Sequence, residues 1–136
     1  MDTRRRLAQG VPVKRGTVVL VSLGPTIGHE QRGARPCVVV TDPAVSEDQR
    51  FPMLAVIPLT GTPGEGALYP ALRPGESGLR KPSWALIDQL RTVDKRRVDR
   101  VFGVVSRQEL AAIDDGLRLF LGLGRTASPI SAGGTP

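Results

Sequence analysis

At 136 residues, the chain is shorter than the roughly 150 residues usually allotted to one domain, so a second independent core is not expected. Its 40% hydrophobic content can bury about two thirds of the surface an unfolded chain of this length exposes, which excludes a disordered protein. Nineteen Lys and Arg against 13 Asp and Glu leave a formal charge of +6, a field that suits nucleic acid or an acidic protein without choosing between them.

The single cysteine, Cys37, cannot close an internal disulfide, and no second thiol or histidine cluster is present to complete a zinc site. The cytoplasm is therefore the expected compartment. No stretch approaches the roughly 20 apolar residues of a membrane span, and the basic start Arg4-Arg5-Arg6 leads into no apolar signal core, so neither a membrane partner nor secretion is expected. Aromatic residues make up 4% of the chain, with Trp84 and Tyr69 alone of their kinds. A grip on nucleic acid is then expected to be mainly ionic and hydrogen-bonded.

In chain order, residues 1–14 are basic and non-periodic and read as a flexible tail. A first β-branched run covers Thr17 to Leu23. A charged loop from Pro25 through His29-Glu30-Gln31-Arg32-Gly33 leads by Arg35-Pro36 into a second run, Cys37 to Val40, so the two form a hairpin. Met53 to Leu59 is a third, nearly continuous apolar strand, in which Pro58 predicts an edge or a bulge. The stretch from Gly61 to Ser83 is rich in Gly and Pro and reads as a long loop with an irregular strand near Leu68 to Leu72. Trp84 to Leu90 and Val101 to Val105 are the remaining strand candidates. Leu110, Ile113, Leu117, Phe120 and Leu121 then fall on one face of an amphipathic helix. Ser106 and Glu109 supply a capping box at its start, and Gly122 or Gly124 a stop. Residues 124–136 hold nothing able to pack a core and read as a second tail. Strands followed by one covering helix make a small bent antiparallel sheet or barrel, an α+β domain that is mainly β.

Absences prune the chemistry. No phosphate-cradling loop ends in Gly-Lys-Ser/Thr, no dinucleotide fingerprint follows a strand, and no ligand spacing suggests a metal or cofactor. One histidine excludes a ribonuclease that uses two as acid and base. Asp114-Asp115 point about 100° apart on a helix and read as solvated surface. The candidates gather at the mouth of the first hairpin: Glu30, Gln31, Arg32 and Arg35. Composition alone also allows a solvated loop in which Arg35 pairs with Glu30, and Thr60 as a plain turn former. The run from Asp94 to Arg100 reads as a solvated turn or helical face, or as an electrostatic footprint for phosphates.

Order and wording narrow these readings. Arg15-Gly16 with its following hydrophobics, then Pro25-Thr26-Ile27-Gly28-His29-Glu30-Gln31-Arg32-Gly33-Ala34-Arg35-Pro36, resembles the opening pattern of the MazF/PemK family of toxin-antitoxin ribonucleases. Val56-Ile57-Pro58-Leu59-Thr60 is similar to that family's V-x-P-[IL]-T strand end. Asp88-Gln89-Leu90-Arg91-Thr92-Val93-Asp94 is similar to its D-Q-[IL]-R-[ST]-[IV]-D block, and Gly103 to Leu123 to its closing helix. The resemblance spans residues 15–123. Thr17 replaces the usual acidic residue, and Gly61-Thr62-Pro63 departs from the common Ser/Thr-x-Gln.

The resemblance implies an SH3-like β-barrel of the PemK/CcdB type with a C-terminal helix, a homodimer, and sequence-specific cleavage of single-stranded RNA without metal or cofactor, held in check by a cognate antitoxin. It places Arg35 and Thr60 at catalytic positions. Glu30 then either accepts the 2′-hydroxyl proton or orients Arg35. Gln31, Arg32, Gln89 and Arg91 become candidate RNA contacts. Two other readings stay open: a CcdB-like toxin that binds topoisomerase and cuts no RNA, and an inactive member that only binds RNA or antitoxin.

Overall fold

The computed structural model of the protein describes residues 13–22 and 33–124. In chain order these form β1 (Thr17–Ser22), β2 (Ala34–Val39), a one-turn helix α1 (Pro43–Ser46), β3 (Met53–Thr60), β4 (Ala71–Leu72), β5 (Ser83–Ala85), β6 (Arg91–Asp94), β7 (Val98–Val104) and α2 (Arg107–Leu121). Two short 3-10 turns, Ile87–Gln89 and Lys95–Arg97, flank β6. The strands make one sheet in the order β4-β5-β3-β2-β1-β7, with β6 beside β3. Every pairing is antiparallel.

Side-chain alternation divides the buried residues between two faces. One face carries Val18, Val38, Ile57, Leu59, Leu72 and Ala85, which pack with Ile113 of α2. The other carries Val19, Val21, Cys37, Val39, Leu54, Val56, Val93 and Val98. With no long helix among the described residues packed over this second face, its side chains bury one another, which requires the sheet to curl around them. The result is the half-barrel expected of an SH3-like fold. Register slips between Val18 and Val19, and between Leu20 and Val21, where β1 meets β7, supply local bends. Val13, only 8% exposed, belongs to the inner cluster, so packing begins ahead of the tail boundary drawn at residue 14.

The helix forms as its sequence predicts. Ser106 Oγ accepts the Glu109 amide at 3.1 Å, and Glu109 Oε1 accepts the Ser106 amide at 2.9 Å, a reciprocal cap worth about 1 kcal/mol. Gly122 ends the helix at φ +69°, a left-handed conformation that costs glycine nothing. Asp114 departs from its expected solvated role. Arg15 grips it with Nη2 at 2.7 Å and Nη1 at 3.1 Å, while its Nε donates to the Val40 carbonyl at 3.0 Å. One guanidinium thus ties α2 to the start of β1 and the end of β2.

Three further expectations are corrected. Pro58 stands inside the sheet, paired with Cys37 of β2. Its carbonyl accepts the Leu86 amide, while the Leu86 carbonyl, which a ladder N–H at position 58 would have filled, accepts the Gln89 amide instead. The proline therefore sits where the neighbour of β3 changes from β6 to β5, and no ladder bond is wasted. For the same reason Trp84 to Leu90 is not one strand: it breaks into β5 and the Ile87–Gln89 turn. The charge run is a turn, with Arg96, Arg97 and Arg100 exposed as one reading had it, but it is not solvated throughout. Asp94 caps a 3-10 turn by accepting the Arg96 amide, and Lys95 points inward, 1% exposed, donating Nζ to the Asp48 carbonyl at 3.1 Å. Burial lowers the Lys95 pKa. No helix among the described residues is long and apolar enough to cross a membrane.

Candidate active site

The site is built by register between β2, β3 and β5. Cys37 lies opposite Pro58, Val38 opposite Ile57 and Val39 opposite Val56. Continuing that antiparallel register by two residues sets Arg35, half-buried at the start of β2, opposite Thr60 at the end of β3. Thr60 in turn pairs with Trp84 of β5, and Trp84 with Ala71 of β4. Because paired residues share a face, Arg35, Thr60, Trp84 and Ala71 form one row across the sheet, on the inner face and beyond the core residues Cys37 and Val56. Neighbours in the row are about 5 Å apart at the backbone.

Arg91 joins them from β6. It pairs with Val56 and so projects from the same face. Both guanidinium charges reach Cys37: Arg35 and Arg91 each pull its pKa down, while burial, the larger effect, pushes it up to about 11. The thiol is thus neutral at physiological pH and no nucleophile. Its Sγ makes only a long contact, 3.7 Å, to the Arg35 carbonyl.

Thr60 is prepared by its own turn. The Thr62 amide donates to Thr60 Oγ1 at 3.1 Å, which occupies an acceptor site on the hydroxyl and leaves its proton to be donated elsewhere. Gly61-Thr62-Pro63, the segment that departs from the family pattern, therefore retains a function in orienting the threonine. Gln89 is exposed in the 3-10 turn just ahead of Arg91. Its neighbour Asp88 accepts the Tyr69 hydroxyl at 2.6 Å, which fixes that turn against the long loop. Glu30, Gln31 and Arg32 lie outside the described residues. Among the described residues, no carboxylate forms an ion pair with Arg35 or Arg91. The row accordingly presents positive charge and a hydroxyl donor, an arrangement suited to an anion with several oxygens.

Sequence reasoning singled out Arg35, Thr60 and Arg91 as candidates and passed over Trp84, whose position beside Thr60 follows only from the β3–β5 pairing. A cleft lies apart from this row, lined by Pro36, Gly78, Leu79, Arg80, Arg100 and Phe102, with a volume of about 430 Å³. There the Arg100 guanidinium stands 5.0 Å from the Phe102 ring centre. Gly103 lets the backbone of Glu76 and Ser77 dock against β7, since a Cβ at that position would collide with the Glu76 carbonyl.

A curled antiparallel sheet with one C-terminal helix defines a small, mainly β, SH3-like barrel protein. The chain belongs to the family of PemK-like, MazF-like toxins of type II toxin-antitoxin systems, whose profile matches residues 14–121. Solved structures carry the same fold. An endoribonuclease from a mycobacterial species, in complex with its cognate antitoxin, is 23% identical with a TM-score of 0.68, the match covering 83% of this chain and 98% of that one. MazF of Deinococcus radiodurans is 24% identical, covering 82% and 98%, with a TM-score of 0.64. The Mycobacterium tuberculosis toxin MazF-mt6 is 19% identical, covering 80% and 99%, with a TM-score of 0.63.

Proposed function

We propose that this toxin is a sequence-specific endoribonuclease that cleaves single-stranded RNA by attack of the 2′-hydroxyl on the adjacent phosphorus, works as a homodimer without metal, and is restrained by a cognate antitoxin. The observation that carries the reading is the β2–β3 register, which continued by two residues sets a cation, Arg35, opposite a hydroxyl donor, Thr60, with no described carboxylate paired to the cation. RNA brings its own nucleophile, so the protein has to align the 2′-oxygen with the leaving 5′-oxygen and stabilise the charge that builds on the pentacovalent phosphorus. Arg35 donates a fork of hydrogen bonds to the non-bridging oxygens. Charge stabilisation is its main role. Thr60, whose Oγ1 accepts the Thr62 amide, donates a hydrogen bond from its hydroxyl to the same phosphate.

Glu30, in the loop outside the described residues, either takes the 2′-hydroxyl proton or orients Arg35. Gln31, Arg32, Gln89 and Arg91 are the proposed further RNA contacts. An acidic antitoxin segment would be drawn by the same positive field that draws RNA, and the neighbour solved with its antitoxin supports this partner class.

The test is incubation of the purified protein with mixed single-stranded RNA in EDTA. Fragments ending in a 2′,3′-cyclic phosphate, absent with Arg35→Ala protein that retains the wild-type melting temperature, are expected. Undiminished cleavage by that variant would overturn the site. Inhibition of DNA supercoiling without RNA cleavage would move the protein to the topoisomerase-binding class.

A further inference from the structure

We propose that Trp84 is the platform on which the protein stacks the base adjoining the scissile phosphate, so that this one ring sets part of the cleavage-site preference. The inference rests on the ribonuclease reading above and gives its site a base-recognition element.

Four observations converge on Trp84. It is paired directly with Thr60, on the inner face that Arg35 and Thr60 share. Two strand spacings, about 10 Å, separate its backbone from that of Arg35, so a phosphate held between Arg35 and Thr60 would carry a neighbouring base towards the indole. On its other side Trp84 is paired with Ala71, a small residue, and Trp84 is itself only partly buried. Finally, the remaining aromatic residues are engaged or placed elsewhere. Tyr69 donates its hydroxyl to Asp88. Phe102 packs with the α2-covered cluster beside Arg100. Phe51 lies at the opposite end of β3, against Arg50, and Phe120 is on α2.

The chemistry fits the position. An indole stacks on any base through its π face, which holds the base without reading its edge, and the ranking of bases then follows stacking strength. The low aromatic content argues against a surface of several rings. It does not argue against one ring placed a nucleotide away from the reacting phosphate.

Trp84 is the sole tryptophan, so the protein carries its own reporter. Titration of the wild-type protein with a random-sequence, 2′-O-methylated single-stranded RNA pool, which cannot be cut, should quench and shift the tryptophan emission in step with binding followed by anisotropy. In parallel, cleavage of mixed RNA followed by sequencing of fragment 5′ ends should show Trp84→Ala protein losing about 5- to 150-fold in kcat/KM and flattening of the base preference at one position beside the cut. Trp84→Phe should keep the wild-type cleavage profile and most of the rate, which separates stacking from a fold defect. Unchanged emission on a bound RNA, or an unaltered profile and rate for folded Trp84→Ala protein, would overturn the proposal. If the wild-type protein cuts no RNA, the ribonuclease reading fails by itself, and the emission titration still decides whether the ring meets a base.

Discussion

The two ends of β3 treat their positive charges in opposite ways. At the Met53 end, cations are matched or enclosed: Arg50 meets Asp48 at 2.7 Å, Arg96 meets Asp94 at 3.0 Å, and Lys95 is buried on the Asp48 carbonyl. At the Thr60 end, Arg35 and Arg91 stand on the inner face with no described carboxylate paired to them. A matched cation helps shape a turn. One with no described carboxylate beside it keeps its field and its donors for a ligand, and electrostatic repulsion between two such groups is relieved when an anion binds. The net charge of +6 is therefore not a uniform coating.

The largest effect is expected at the Thr60 end. Arg35→Ala should lower kcat/KM by about 100- to 1,000-fold or more and leave thermal unfolding nearly unchanged. A large loss of stability instead would show that Arg35 belongs with the structural cations. Thr60→Val, which keeps the branched shape and removes the hydroxyl, should cost about 10- to 100-fold, with Thr60→Ser restoring much of it. Equal rates for the valine and threonine proteins would remove the hydroxyl from the mechanism.

At the structural side the expected effects are on stability and smaller. Asp114→Ala strands the half-buried Arg15 guanidinium and should destabilise the protein by about 1–3 kcal/mol in a denaturant titration, without changing where RNA is cut. Lys95→Ala should cost a similar amount through lost packing. Lys95→Met, which keeps the volume and removes a desolvated charge, should cost less. A methionine protein as unstable as the alanine one would show that the bond to Asp48, rather than packing, holds the turn.

The smallest effect is on acid stability. The Arg50 and Arg96 guanidiniums and the backbone amides beside them hold Asp48 and Asp94 at a pKa of about 2, below the usual carboxylate value near 3.9. Folded-state values depressed in this way contribute stability above about pH 4 that is lost as pH falls towards 2. Asp94→Asn should reduce that slope, as measured by unfolding at a series of acidic pH values. A slope identical to wild type would assign acid sensitivity to other carboxylates.

Much of this was legible before any coordinates. The capping box at Ser106 and Glu109, the apolar period from Leu110 to Leu121 and the left-handed stop at Gly122 are interactions within a few residues, so sequence spacing encodes them directly. The β-branched runs at Thr17 and Met53 became strands for the same reason. Elements that depend on distant partners were read less well. Arg91 to Val93 fell between a strand candidate ending at Leu90 and a charge run starting at Asp94, because nothing local states that β3 has two successive neighbours. Pro58 looked like an edge residue, because the acceptor its missing amide leaves open is satisfied from Gln89, across the turn that follows β5.

The sequence by itself determined the class of fold, the order of the family's motifs and the identities of Arg35 and Thr60 as the residues to watch, since those features are carried by composition, short-range period and wording. Tertiary structure decided the rest. Only antiparallel register, summed over pairings between segments far apart in the chain, sets Arg35 across from Thr60 and Thr60 beside Trp84. Burial is likewise a property of neighbours and not of residue type. It turns Lys95 from a surface charge into a buried one, and it keeps Cys37 an inert thiol between two arginines.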